Sequence, residues 1–274
     1  MGRRIAMLIV LLTLGTLLAA ATTCENLAAL NLPLTAITLA QSVADHGFNP
    51  PIPFPSAGPR GALTIIALSE LPAFCRVAAT IKPSPDSEIK FELWMPVSGW
   101  NGNFMGIGNG GWAGAINYSG MSDPLSRGYA TASTDTGHEG AGTDASFALG
   151  HPEKAIDFGY RAVHEMTLKA KAIVDAYYGR ASKLSYWNGC STGGTQALKE
   201  AQAYVADYDG IVAGAPALHT LFITGLGMPI IDDMDPEALA ETCARLHRWE
   251  FMLVVGPLRV PGGTGGPVNP IAIF

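Results

Sequence analysis

Charge is what this chain has least of. Only 15% of its 274 residues are charged, and the 17 bases are outnumbered by 23 acids, giving a formal net charge of −6. A surface able to neutralise phosphates is therefore missing, which argues against a nucleic-acid partner. No internal repeat occurs, so a stacked-repeat architecture is excluded. No apolar run is long enough for a transmembrane helix, because Ile5 to Leu18 stops short of the roughly 20 residues a span needs. Histidine is scarce, six in all, and only His219 and His247 lie in the C-terminal third. What is plentiful is apolar: 48% hydrophobic residues mark a globular chain, long enough for one large α/β domain.

The N-terminus has its own character. Met1-Gly2-Arg3-Arg4, the apolar run, and then Ala19-Ala20-Ala21-Thr22-Thr23 give a basic region, an apolar region and a small-residue cleavage site. That order describes a secretory signal peptide over residues 1–23 and predicts a secreted or periplasmic protein with no membrane association after cleavage. Ala21-Thr22-Thr23 lacks the leucine and the small residue of a lipoprotein site before Cys24. Export permits disulfides, and Cys24, Cys75, Cys190 and Cys243 allow three pairings. A Cys24–Cys75 bridge would tie the mature N-terminus to the first β-rich segment.

Residues 24–60 are rich in Pro, Ala and Thr and predict an irregular segment, extended at Pro50 to Pro55. Strands are predicted at Arg76 to Ile81 and Ile89 to Met95, joined by the turn Lys82 to Asp86. Two more are predicted at Phe104 to Gly108 and Gly128 to Thr134. Ile156, Tyr160, Val163, Met166, Ala170, Ile173 and Tyr177 recur at three- and four-residue steps, predicting a helix that Gly179 ends. Leu184 to Trp187 reads as a strand, Thr192 to Tyr204 as a helix and Ile211 to Ala213 as a further strand. Alternating strands and helices imply a mostly parallel sheet covered on both faces. From about Trp249 the apolar pattern has no period, so 24–243 reads as the domain and 244–274 as an atypical, disordered or frameshifted tail.

Gly189-Cys190-Ser191-Thr192-Gly193 is a G-x-S-x-G sequence between a strand and a helix, the setting of a nucleophile elbow. The elbow lifts a serine hydroxyl to the top of the sheet. It also points helix N–H groups at the reaction centre, so the Thr192 amide can stabilise an oxyanion. Gly108-Asn109-Gly110-Gly111 follows an earlier strand and suits the second donor, at Gly110 or Gly111. Gly106, Gly108 and Gly111 also spell the G-x-G-x-x-G of a dinucleotide site, but no helix follows and no acid ends a second strand. A hydrolase of this kind places its acid and histidine after the serine. His219 follows the Ile211 strand too soon, and His247 lies in the charged stretch Arg245 to Arg248. Asp207, Asp209, Asp232, Asp233 and Asp235 have no distinguishing context beyond the Asp209-Gly210 turn. His138 reads as part of a structural loop and His164 as a packed helix residue. The triad acid and base are thus not identified, and no metal site is read from the residues.

Longer stretches carry more. Trp100 to Phe104 running into Gly108 to Gly114, Gly128 to His138, Asp157 to His164, Tyr186 to Gly194 and Asp209 to Pro216 together resemble the tannase/feruloyl esterase family. The resemblance implies an α/β-hydrolase-type, mostly parallel sheet flanked by helices, with Ser191 as nucleophile. The expected substrate is a small aryl or phenolic ester, hydrolysed through an acyl-serine without a catalytic cofactor. The resemblance also implies that Cys190 pairs with a cysteine directly after the catalytic histidine, and that a lid domain carries calcium. Neither a His-Cys dipeptide nor the calcium ligands occur in this sequence. The expectation is therefore a fold incomplete on its C-terminal side and inactive as it stands. The alternative is a non-catalytic secreted protein that binds phenolic ligands on the same core. The sequence sets no oligomeric state.

Overall fold

In the computed structural model the described residues are 22–50, 68–112, 114–214, 237–248, 250, 252–257 and 268–273. The leader reading, apart from Thr22 and Thr23, lies outside them. The chain divides into two compact units, Met1–His219 and Thr220–Phe274.

The first unit is built on a seven-stranded mixed sheet. In chain order the strands are β1 (Thr35–Val43), β2 (Phe74–Ile81), β3 (Ile89–Pro96), β4 (Asn103–Ile107), β5 (Ala130–Thr134), β6 (Leu184–Cys190) and β7 (Gly210–Gly214). In space they run β1-β2-β3-β5-β4-β6-β7. The β1–β2, β2–β3 and β3–β5 pairs are antiparallel, and the β5–β4, β4–β6 and β6–β7 pairs are parallel. Helix α1 (Tyr118–Ser126) links β4 to β5. Between β5 and β6 come α2 (Pro152–Ile156), a π-helical turn (Asp157–Arg161) and α3 (Ala162–Tyr178), while α4 (Thr192–Ala203) leads to β7. This is the α/β-hydrolase-type arrangement expected, with its mostly parallel half carrying the elbow.

Alternation along the strands sends side chains to two cores. Leu93 and Met95 join Val163, Met166, Ala170 and Ile173 of α3 on one face. Phe74, Trp94 and Ile107 join Met121 and Leu125 of α1 on the other. Gly179 ends α3 in the left-handed conformation, φ 68°, as its position after the apolar stripe predicts.

Within the described part of this segment, residues 24–50 are not irregular as expected. Glu25–Ala29 forms a 3-10 turn, and β1 pairs along the whole of β2. A register irregularity between Ile37 and Leu39, on a half-exposed strand of small residues, blurs the period-two pattern that would have announced it. Beyond Pro50, the extended proline stretch lies outside the described residues. In the second unit, α5 (Glu237–Leu246) is followed by a hairpin of β8 (Met252–Pro257) and β9 (Val268–Ile273). Residues 252–257 and 268–273 of the tail therefore pair as strands, although its sequence shows no apolar period. Backbone pairing needs no apolar alternation, which is why the sequence pattern missed them.

A disulfide joins Cys24 to Cys75, with both cysteines in the larger core. It closes a loop of 51 residues, so Cys24→Ser with Cys75→Ser is expected to cost about 4 kcal/mol by loop entropy. Denaturant titration of oxidised wild type against the double variant checks this.

Candidate active site

Ser191 sits between β6 and α4 with φ 59° and ψ −121°, a conformation a non-glycine residue adopts only under constraint. The constraint is visible on both sides of the residue. Its N–H donates to the Gly214 carbonyl at 3.0 Å, and its carbonyl accepts from the amides of Gly194 and Thr195 at 3.0 and 3.1 Å. The neighbouring strand and the first helical turn thus hold the serine in its turn.

Glycine is required around it because backbones meet there. A Cβ on Gly108 would stand 2.5 Å from the Gly193 Cα, and one on Gly189 would overlap the Gly193 carbonyl. The same carbonyl accepts the Trp187 indole N–H at 3.0 Å. The glycine loop after β4 is therefore pressed against the start of α4.

Asn109 fastens the two together. Its backbone carbonyl accepts from Gly193 N at 2.8 Å and its N–H donates to Gln196 Oε1 at 3.2 Å. Its side-chain oxygen accepts from Gln196 Nε2 at 3.1 Å, while its Nδ2 donates to the carbonyls of Ala115 and Thr134 at 2.9 and 2.8 Å. Every polar group of this buried residue is matched. The pair is 87 residues apart in sequence, so nothing in local pattern announces it.

Thr192 opens α4, where the first N–H groups have no intrahelical acceptor and the helix end is partially positive. Its hydroxyl donates to the Gly111 carbonyl at 2.7 Å. Gly111 has φ 58°, and a side chain there would overlap the Gly142 carbonyl, whereas a methyl on Gly110 would meet open space. Ser191, Thr192 and the glycine loop thus lie together at the carboxyl ends of β4 and β6. Such a cluster can present a hydroxyl beside backbone donors, the parts an acyl transfer uses.

The remaining site residues are dispersed. Among the described residues no hydrogen bond or ion pair involves the Ser191 hydroxyl. His138 is buried, bonds the Trp112 carbonyl through Nε2 at 2.7 Å and stacks on Phe147 with ring centroids 3.6 Å apart. His164 Nδ1 meets Asp207 Oδ2 at 2.7 Å and its ring stacks on Tyr204. Asp209 accepts from Ser185 N at 2.7 Å and fixes the turn into β7. His247 is exposed just past α5 in the second unit, and His219, Asp232, Asp233 and Asp235 lie outside the described residues. Cys190 is an exposed free thiol and Cys243 a buried one.

Asp135, at the end of β5, is buried and accepts from the amides of Lys90 at 2.9 Å and Gly137 at 2.8 Å. Burial pushes its carboxyl up to about 7, against the pull of those two amides. It borders a cavity of about 870 Å³ between β1–β3 and the loops around Ala115 and Gly140, whose lining does not include Ser191.

The described residues offer one group of side chains close enough to share an ion, His164, Glu200 and Asp207. One imidazole and two carboxylates are not the six to eight oxygens that calcium takes, so they do not fit the calcium implied by the resemblance.

The family model for "Tannase and feruloyl esterase" matches residues 75–225. The chain is 43% identical over 210 residues to an uncharacterized esterase of Xanthomonas campestris pv. campestris, covering 76% of this chain and 34% of that one. It is 35% identical over 202 residues to "probable feruloyl esterase B-1" of Aspergillus fumigatus, covering 74% and 36%. Among solved structures, feruloyl esterase B from Aspergillus oryzae superposes with a TM-score of 0.63 at 33% identity, covering 74% of this chain and 39% of that one. A second esterase from Aspergillus oryzae gives 0.62 at 31%, covering 81% and 44%. The chain spans about a third of the length of the curated relatives it matches.

Two outcomes follow from this geometry. Gly108→Ala is expected to destabilise the first unit by about 2–4 kcal/mol, because backbone cannot yield to the added methyl; chemical denaturation reads it. Asp135 holds in the folded state a proton that the unfolded chain releases near 3.9. Its contribution is therefore complete below that value and lost as pH rises towards about 7, by at most about 1.4 kcal/mol per pH unit. Asp135→Asn keeps an acceptor for both amides, so its stability relative to wild type should rise across this window.

Proposed function

We propose, for a chain that belongs to the tannase and feruloyl esterase family, the chemistry of a serine carboxylesterase acting on aryl or phenolic esters. Ser191 is the nucleophile in this reading. Its oxygen attacks the ester carbonyl, the alcohol leaves, and water then releases the acid from the acyl-serine. The observation that carries the reading is the strained Ser191 turn held against a glycine loop by Asn109 and Gln196.

The oxyanion of each tetrahedral intermediate would be met by the Thr192 amide and by an amide of Gly110 or Gly111. Loss of one such donor typically costs about 3 kcal/mol of transition-state stabilisation. The general base and its acid partner are not assigned to any described residue. In this reaction the chain supplies the nucleophile and the oxyanion loop. Residues 1–23 are proposed to direct export, consistent with a disulfide between Cys24 and Cys75. Among the described residues no helix is long and apolar enough to cross a membrane.

One observation favours a second reading. The 870 Å³ cavity bordered by Phe91, Ile116 and Tyr118 could hold a phenolic ligand without help from Ser191. In that case the chain is a binding protein on a hydrolase core.

A chimera decides between them. Residues 22–214 of this chain are joined to the remaining C-terminal part of the Xanthomonas relative and assayed with methyl ferulate and an organophosphonate. The esterase reading expects turnover, labelling mapped to Ser191, and a loss of roughly a millionfold in kcat for Ser191→Ala. A soluble chimera that binds ferulate equally well with and without Ser191, and is neither labelled nor active, sinks the esterase reading.

A further inference from the structure

Among the described residues of the first unit five acidic side chains are buried: Glu92, Asp135, Asp157, Glu200 and Asp207. A buried carboxylate is costly unless donors or a cation replace the lost water. Four of the five meet this demand. Glu92 takes Arg76 Nε at 2.9 Å and Nη2 at 2.5 Å, the Tyr118 hydroxyl at 2.8 Å and the Trp94 indole at 2.9 Å. Asp157 takes Ser87 Oγ and Arg161 Nε, both at 2.6 Å. Asp135 takes two backbone amides and Asp207 takes His164. Glu200 is only 1% exposed, yet neither of its oxygens has a partner among the described residues.

The position of Glu200 makes this sharper. It lies in the last turn of α4, where the helix end is partially negative and a carboxylate is least welcome. Nearby, the Lys171 ammonium is bonded to the Asp207 main-chain carbonyl and sits 5.6 Å from the Tyr208 ring centre. It does not satisfy the Glu200 oxygens. What Glu200 does face is one ligand atom each from His164 and Asp207, all three atoms within 4.8 Å of one another.

We propose that His164, Glu200 and Asp207 form a binding site for a divalent transition-metal ion, separate from the serine site. One imidazole and two carboxylates are a zinc- or manganese-type donor set rather than a calcium one. Ligands sharing a zinc ion lie about 2.1 Å from it, hence within about 4.2 Å of each other, so a side-chain shift under about 1 Å closes the site. The Tyr204 ring, stacked 3.9 Å from His164, already fixes the plane of the imidazole. His164 is 24% exposed and offers the way in. The ligands come from α3, α4 and the turn before β7, so the ion would pin the far end of the elbow helix to its neighbours. Its role is structural.

Zn²⁺ is the probe. The full chain is stripped with EDTA, its exposed Cys190 thiol is alkylated, and ZnCl2 is titrated by calorimetry with thermal unfolding in parallel. The expected result is one tight ion per chain and a rise in Tm of several degrees at saturating Zn²⁺. Glu200→Gln, which keeps the shape of the side chain, should abolish both. Burial, with the Asp207 carboxylate alongside, pushes the Glu200 carboxyl up to about 8, so a retained proton is the rival explanation. If Glu200→Gln raises the Tm of the metal-free protein and Zn²⁺ leaves wild type unchanged, the proton suffices and the proposal fails. Zn²⁺ uptake that survives Glu200→Gln also overturns it, since the ion then binds elsewhere.

Discussion

The first unit depends on one close approach, that of the Gly108 backbone to the backbone of Gly193. Everything around the elbow follows from it. The approach needs glycine at 108, 189 and 193, since a Cβ at any of them would crowd or overlap neighbouring backbone. It needs the Trp187 indole and Gly193 amide to find partners in the narrow gap, and they do. It also brings the loop after β4 and the start of α4 to the same edge of the sheet, where Ser191 is held at φ 59°. Such strain persists only where surrounding contacts over-determine it, and here they include the end of β7 and the helix's first turn.

The sheet topology is what permits that contact. Placing β4 between β5 and β6 makes the three strand ends parallel at this edge, so three loops converge where the hydroxyl emerges. The antiparallel strands β1 to β3 serve a different purpose. They extend both cores away from the site, and the Cys24–Cys75 bridge closes them at the N-terminal end.

Much of this was legible in the sequence, and the limits have physical causes. The helix ending at Gly179 and the strands β2, β3, β5 and β6 announce themselves because apolar period and turn residues agree. The elbow is legible because G-x-S-x-G sits where a strand pattern gives way to a helical one. Strand β1 is hidden because its half-exposed small residues and its register irregularity erase the period. The Asn109–Gln196 clamp is hidden because both partners are ordinary residues far apart in the chain. Asp207 looked like any loop acid until the fold placed His164 and Glu200 beside it. Pairings across long sequence separations are set by topology, and no local pattern encodes them.

The matched polar groups of Asn109 bear on when disorder is removed. With both faces of the amide and both backbone groups engaged, the glycine loop and the start of α4 behave as one rigid piece rather than two that must find each other. The entropy of aligning them is spent once, as the chain folds, and is not demanded again at each encounter with a ligand. A molecule arriving at this edge therefore meets a surface whose backbone is already fixed in place.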